Sequence, residues 1–293
     1  MVSAQASHAD PLARALRRKA VSGGPGAAEG RQVAAGDGWR VIDIVCSSGP
    51  NDHPFEEPLP RAAISLVLSG SFVYRSTGAG SLMSPGSLVL GSAASTFECS
   101  HPHGEGDRCL SFQFDPELFE RLAHDAGARR AAFDHDRVPP LRVLAPLTAR
   151  ARTALGRRDS FEEIALELAG AVVRLEGSRR RDAGPRARDL DRVSQVLRRL
   201  ESNPGEPQTL GELAASAGLS RYHFLRTFKA VTGATPHQWL LRARLRDAAQ
   251  RLAASRAPIT DIAVDVGFAD LSNFIRSFRA EFGVSSRASR LTA

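Results

Sequence analysis

The sequence predicts an α+β protein, in which a strand-rich N-terminal domain is followed by an all-helical C-terminal domain. Short apolar runs cut by Gly, Pro, Ser and Asn fill residues 39–114, and helical periodicity begins after Asp115. A polar stretch with Gly and Pro at residues 177–188 is the expected linker between the domains. The 293 residues are enough for two hydrophobic cores.

Each part of the first domain has its own pattern. In residues 1–38 we expect a short amphipathic helix beginning at Asp10-Pro11, and then a flexible Gly- and Ala-rich segment. Residues 39–115 are expected to form the closely spaced strands of a barrel or sandwich. Residues 116–176 are expected to be helical, and the last helix carries an apolar stripe that suits either core packing or a dimer seam. The stripe comprises Ile164, Leu168, Val172 and Leu175.

Composition narrows the function classes. The chain has no run of 18 apolar residues and no apolar leader, so we expect neither a membrane span nor a signal peptide. Three cysteines without a pairing pattern are typical of a reducing cytoplasm. Residues 186–293 hold 17 Lys and Arg against 10 Asp and Glu, so the whole net charge of +7 lies there. A basic C-terminal domain favours a polyanionic partner.

The C-terminal domain, residues 189–293, contains an internal repeat. The ten-residue stretches at 224–233 and 274–283 match at an offset of 50 residues, with five identical positions. Each copy follows a short apolar helix pattern and a turn that contains Gly218 or Gly267. A helix, a turn with Gly and a second helix is the helix-turn-helix plan, and its duplication makes the pattern specific.

Helix caps and exposed faces fit this plan. Thr209-x-x-Glu212 and Thr235-x-x-Gln238 are capping boxes, and Gly233 and Gly283 suit helix C-termini. Each second helix turns its Phe residues inward and basic or hydrogen-bonding residues outward, a face that suits the major groove of DNA. The predicted DNA-binding residues are Arg221, Tyr222, Arg226, Lys229, Ser272, Asn273, Arg276 and Arg279.

An Ala/Leu/Arg-rich helix is predicted between the two units, over residues 236–255. Twenty residues span about 30 Å, close to the ~34 Å turn of B-DNA. This helix would hold the units in successive major grooves on one side of the duplex.

The C-terminal part of the sequence resembles a known family. Residues 189–290 are similar to the DNA-binding domain of AraC/XylS-type bacterial transcriptional regulators, through the stretches 235–245 and 262–283. The resemblance implies a cytoplasmic, nucleoid-associated activator that binds operator DNA near RNA polymerase, and a homodimer. It places DNA contacts at Tyr222, Arg226, Ser272 and Arg276. Leu225 departs from the family pattern, where a polar residue is common, and the tail 284–290 lacks the usual Pro and aromatic residue, so we expect a loosely packed last helix.

Residues 39–114 resemble, more weakly, the cupin-like sensory barrel found in that family, through Ser69–Phe72, Ser84–Leu90 and His101-x-His103. Two Cys and two His on one predicted hairpin are a suitable ligand set for zinc or another transition metal. The candidate ligands are Cys99, His101, His103 and Cys109, with Glu98 and Glu105 as reserve oxygen ligands.

The same residues allow other interpretations. Cys99 and Cys109 would form a redox switch if their Cα atoms lay within about 7 Å. Alternatively the cysteines are small buried residues and the histidines are satisfied by hydrogen bonds. Cys46 is expected in the core. The domain would then sense a metal, a redox change or an unidentified effector such as a small organic ligand. A cupin-type metal enzyme, the competing class, usually needs a third distant His, and no candidate follows His103 in the barrel.

Overall fold

The computed structural model describes residues 10–76, 80–102, 104–155, 161–178, 186–202, 204–206 and 208–291. The strands in this part of the chain are β1 (Ala28–Gly36), β2 (Trp39–Cys46), β3 (Phe55–Leu59), β4 (Ala62–Gly70), β5 (Phe72–Arg75), β6 (Ser81–Met83), β7 (Leu88–Gly91), β8 (Ser95–Ser100), β9 (Asp107–Phe114) and β10 (Arg137–Val138). The α-helices are α1 (Pro11–Ser22), α2 (Pro116–Asp125), α3 (Ala145–Ala154), α4 (Phe161–Ser178), α5 (Ala187–Ser202), α6 (Leu210–Ser216), α7 (Arg221–Thr232), α8 (Pro236–Ala254), α9 (Ile259–Asp265), α10 (Leu271–Phe282) and α11 (Ser286–Leu291). None of these helices combines the length and the apolarity needed to cross a bilayer.

The strands form two antiparallel sheets in the described part of the chain. The larger sheet has the order β1-β2-β9-β4-β7-β10, and the smaller has the order β3-β8-β5-β6. A core that includes Val67, Phe72, Tyr74 and Met83 joins the sheets face to face. Of the predicted barrel or sandwich, the described strands form two separate sheets packed on each other, so the barrel is not closed. The cupin-like assignment stays a prediction.

Residues 28–36 are more ordered than their composition indicates. Ala28–Gly36 forms strand β1 and pairs with β2 along its length, so the predicted flexible segment is wrong there. Its side chains are mostly exposed, and backbone hydrogen bonds to β2 account for the strand. The predicted first helix is confirmed as α1, with the Asp10 carboxylate accepting from the Leu12 amide at 3.3 Å.

The helices after the sheets cover the outer face of the larger sheet. The stripe of α4 is buried against β9, where Ile164, Leu168 and Val172 join the same core as Phe112 and Phe114. Each such aliphatic side chain contributes about 1.5–3 kcal/mol by leaving water. Of the two predicted roles for this stripe, core packing is confirmed.

The C-terminal domain consists of α5 to α11 and has two cores. The first surrounds Phe224, Phe228 and Trp239, and the second surrounds Phe274 and Phe278. Both predicted capping boxes are present, and Gly233 and Gly283 end α7 and α10 in the left-handed conformation. The last helix, α11, packs on α8 and α10 with Ser286 buried, so the expected loose packing is wrong.

The two domains share part of their cores. Val73 of β5 and Leu82 of β6 are buried in the first core of the C-terminal domain, beside α5 and α7. Ala145 of α3 is buried in the second core. The smaller sheet therefore contacts the first helix-turn-helix unit directly.

Candidate nucleic-acid interface and a buried Cys/His cluster

The first helix-turn-helix unit consists of α6, a turn at Gly218 and α7. Thr209 and Glu212 cap α6 reciprocally, with hydrogen bonds of 3.2 and 2.9 Å. The Ser220 hydroxyl accepts from the His223 amide at 3.4 Å and begins α7. These caps fix where both helices begin, and the buried side chains of Phe224, Phe228 and Val231 determine which face of α7 is turned inward.

The outward face of α7 carries the four residues predicted there, and all four are exposed: Arg221, Tyr222, Arg226 and Lys229. Tyr222 is 72% exposed, and the Arg226 Cζ lies 5.9 Å from its ring centroid. A Cβ on Gly211 would lie 3.1 Å from an Arg221 guanidinium nitrogen, so Arg221 lies along α6. Leu225, the departure from the family pattern, is half-buried.

The second unit consists of α9, a turn at Gly267 and α10. The Asp270 carboxylate caps α10 by accepting from the Ser272 and Asn273 amides at 3.0 and 2.9 Å. The Asn273 side-chain oxygen accepts from the Ser277 hydroxyl at 3.4 Å. The predicted residues of this unit are all exposed on α10: Ser272, Asn273, Arg276 and Arg279. Ile275, also on α10, is 41% exposed.

Helix α8 sets the distance between the units. Its 19 residues span about 28 Å. Arg244 donates to the carbonyls of Pro204, at 2.6 Å, and of Gly267, at 2.8 Å, and so fixes the turn of the second unit against the loop after α5. The exposed faces of α7 and α10 therefore stand on one rigid frame.

The predicted Cys/His hairpin is not formed. Cys99 lies on β8 of the smaller sheet and Cys109 on β9 of the larger one, and His103 lies outside the described residues. Both thiols are free and buried in the core between the sheets. Burial raises the pKa of Cys99 and of Cys109 well above the usual value, which keeps them protonated and weakens their reactivity as nucleophiles.

His101 is brought together with two residues that the hairpin interpretation left out. Its Nε2 lies 2.7 Å from Asp107 Oδ1, and Cys46 is a cross-strand partner of Asp107 between β2 and β9. One ligand atom from each of Cys46, His101 and Asp107 lies within 4.8 Å of the other two. The assignment of Cys46 to plain core packing is therefore incomplete.

Charge is concentrated in this cluster. Burial by itself lowers the pKa of His101, but the neighbouring Asp107, hydrogen-bonded to Nε2, and Cys46 outweigh it and raise the pKa to about 9. Cys109 Sγ donates to Asp107 Oδ2 at 3.3 Å. The cluster can thus hold a proton or a cation between its sulfur, nitrogen and oxygen atoms. Sequence reasoning missed Cys46 and Asp107 because their contact depends on the pairing of distant strands.

Comparison with known proteins supports the helix-turn-helix assignment of the C-terminal domain. A family described as "Helix-turn-helix domain" matches residues 213–291. The chain is 37% identical over 92 residues to the RCS-specific HTH-type transcriptional activator RclR of Escherichia coli (strain K12), covering 31% of this chain and 32% of that protein. The chain spans less than half the length of the first curated relatives it matches.

Two solved structures are similar to the same region. The DNA-binding domain of AdpA, a global transcriptional factor in complex with a target DNA, is 30% identical and covers 34% of this chain and 90% of its own, with a TM-score of 0.33. A probable AraC family transcriptional regulator from Rhodopseudomonas palustris CGA009 is also 30% identical and covers 35% and 97%, with a TM-score of 0.33.

Proposed function

Because residues 213–291 form a helix-turn-helix domain of the AraC type, we propose that this chain is a sequence-specific transcriptional regulator that binds double-stranded operator DNA through α7 and α10. One observation carries the proposal. The duplicated helices present matching exposed residues, Arg226 and Arg276, on a common frame about one DNA turn long. Arg at such positions binds guanine edges or phosphates.

Further parts of the proposal follow from the resemblance to AraC/XylS-type regulators. We propose a homodimer that acts beside RNA polymerase as an activator, in the bacterial cytoplasm and on the nucleoid. The relative in E. coli is named a transcriptional activator, which supports activation over repression. The name of this relative also favours a regulator over a cupin-type enzyme as the function of the chain. In this proposal the N-terminal domain senses a signal, with zinc or another transition metal at the Cys/His cluster as the candidate.

A second candidate signal is a small organic ligand, with the Cys/His cluster as a structural element. A cleft of about 520 Å³ between the domains favours this alternative. Arg152 of α3, Glu201 of α5 and Arg246 of α8 line it. Since Arg152 donates to the carbonyls of Val67 and Leu68 at 2.9 and 3.2 Å, a ligand here would touch both the larger sheet and α8.

The proposal is tested by DNA binding. The operator is first selected from genomic fragments with the purified full chain, and affinity is then measured by fluorescence anisotropy at one salt concentration. We expect Arg226→Ala and Arg276→Ala each to cost about 1–3 kcal/mol, or about 5- to 150-fold in Kd. Arg17→Ala, on the exposed side of α1, is the matched control and should leave Kd unchanged. Unchanged affinity in both test variants would exclude these faces as the DNA contacts.

A further inference from the structure

The most concentrated chemistry outside the DNA-binding faces lies at one end of the two sheets. Cys46 is at the end of β2, Asp107 is at the start of β9, and His101 follows β8. We propose that Cys46, His101 and Asp107 form a binding site for a divalent cation of the Zn²⁺ type. This site differs from the hairpin set Cys99, His101, His103 and Cys109, since Cys46 and Asp107 are not in that set.

The ligand types and their spacing suit this ion. Zinc binds thiolate, imidazole and carboxylate groups, and its tetrahedral ligand atoms lie about 3.3–3.8 Å apart. The three candidate atoms already lie within 4.8 Å of one another. Nε2 of His101 and Oδ1 of Asp107, now 2.7 Å apart, share a proton that an ion would displace. The Cys46 thiol would also lose its proton. Because the three atoms are already close together, binding requires only small shifts of side chains.

An unpartnered atom supports a missing ligand. The Nδ1 of His101 is buried and has no hydrogen-bond partner, and His101 as a whole is only 4% exposed. A buried polar nitrogen without a partner costs about 1–3 kcal/mol. An ion bound through either ring nitrogen would lower this cost. If Nδ1 is the ligand, Asp107 orients the ring through Nε2, as carboxylates commonly do behind metal-bound histidines.

Cys109 is the candidate for a fourth ligand. Cys109 is two residues from Asp107 on the same face of β9, and its Sγ lies 3.3 Å from Asp107 Oδ2. The Cys109 thiol lies outside the group of atoms within 4.8 Å of one another, so it would have to move toward Cys46 and His101 to give the ion a second sulfur ligand. Cys99 lies nearby on the other sheet and is the natural control, because it shares the burial but not the three-residue group.

The backbone holds these ligands in place. Gly106 has a φ of +70°, and a Cβ there would lie 2.6 Å from the carbonyl oxygen of Cys46. This close approach fixes the start of β9 against the end of β2, beside the ligands. Leu12 of α1 covers Gly106, so the first helix closes the site from solvent.

An ion at this point would join the two sheets, and here the inference rests on the proposed function. His101 follows β8, and β8 pairs through β5 with β6. Val73 and Leu82 of these strands lie in the core beside α7. Arg137 donates to the carbonyls of Leu82 and Val231, and so ties β6 to the end of α7. Ion binding would thus bias the position of the first DNA-binding helix.

The test measures metal in the full chain purified without chelator and then incubated with Zn²⁺ and desalted. Mass spectrometry of the metal should give about one Zn²⁺ per chain. Cys46→Ser should lower the bound Zn²⁺ at least about tenfold, and Cys99→Ser should leave it unchanged. Loss of the ion in Cys99→Ser but not in Cys46→Ser would overturn the site in favour of the hairpin set. No bound Zn²⁺ in the unaltered chain would overturn it as well.

A second measurement covers the case in which Cys46→Ser fails to fold. Co²⁺ added to the unaltered chain should give a thiolate-to-metal charge-transfer band and tetrahedral d–d bands. A Co²⁺ spectrum without thiolate ligation would contradict the proposal. Operator affinity is measured in the same samples, with and without Zn²⁺. A bound ion with unchanged affinity would refute its coupling to α7, whereas absent operator binding would refute the proposed function alone.

Discussion

The two helix-turn-helix units are copies in sequence but have different surroundings. The first, α6–α7, shares its core with Val73 and Leu82 of the smaller sheet. The second, α9–α10, packs against α3 of the N-terminal domain through the small side chains of Ala145 and Ala149, and the Ala280 carbonyl accepts a hydrogen bond from Arg142, at 2.6 Å. The duplicated units therefore pack against different parts of the N-terminal domain, the first against the smaller sheet and the second against α3.

The helices that precede the recognition helices also differ. Helix α6 begins at a complete capping box, whereas α9 begins at Pro258 without a side-chain hydrogen bond. The outward residues differ too, because Tyr222 in the first unit corresponds to Ser272 in the second. We infer that the first unit contributes stacking or apolar contact to DNA, and the second contributes mainly hydrogen bonds.

The largest expected effect comes from the matched core residues. Phe228→Ala and Phe278→Ala each remove a fully buried ring and should cost about 3–5 kcal/mol of unfolding free energy. Hydrogen exchange should show that Phe228→Ala also loosens β5 and β6, because they share its core. Phe278→Ala should leave those strands protected. Equal loosening of the strands in both variants would contradict the difference between the units.

A change in the smaller sheet should give a somewhat smaller effect. Leu82→Ala leaves a cavity beside α5 and α7, and we expect a loss of about 2–4 kcal/mol. Exchange protection should fall more in α7 than in α10. The control is Val143→Ala, since Val143 is 67% exposed and should change stability by less than about 0.5 kcal/mol. The same fall in α7 and α10 would show that the sheet supports both units alike.

The stability of the chain should also depend on pH through α5, the helix that packs beside α7 of the first unit. Burial raises the pKa of Glu201 on α5 from 4.5 to about 8, although the charges of Arg246 and Arg198 oppose the shift. The folded chain then keeps a proton that the unfolded chain loses, so Glu201 reduces stability as the pH rises from 4.5 to about 8. Glu201→Gln should remove this loss, with a higher Tm than the unaltered chain at pH 8 and a similar Tm at pH 4.5. Parallel Tm curves across this range would refute the buried, protonated carboxyl group.

The smallest expected effect concerns the helix starts. Thr209→Ala removes the capping box of α6 and should cost about 1 kcal/mol. Pro258→Ala at the equivalent position of α9 removes no side-chain cap and should cost less than about 0.5 kcal/mol. Urea unfolding measures both changes, and a larger loss for Pro258→Ala would reverse the comparison.

Sequence patterns were sufficient for the C-terminal domain because its signals are local. Capping residues, left-handed Gly and the spacing of Phe224 and Phe228 all act within one or two helical turns. Strand β1 escaped prediction because its Ala- and Gly-rich side chains carry no alternation, and its pairing with β2 comes from the backbone. Only part of the Cys/His cluster was foreseen, since the register of β2 against β9 places Cys46 beside Asp107, 61 residues away in the chain.

We expect the two units to contact separate parts of one operator, and hydroxyl-radical footprinting can show these contacts. Each bound copy of the unaltered chain should protect two patches on one side of the duplex, about one helical turn apart, or about 10 base pairs, so a homodimer should protect two such pairs. Arg226→Ala should weaken protection of one patch, and Arg276→Ala should weaken the other. A single protected patch, or loss of the same patch in both variants, would contradict DNA binding by two separate units.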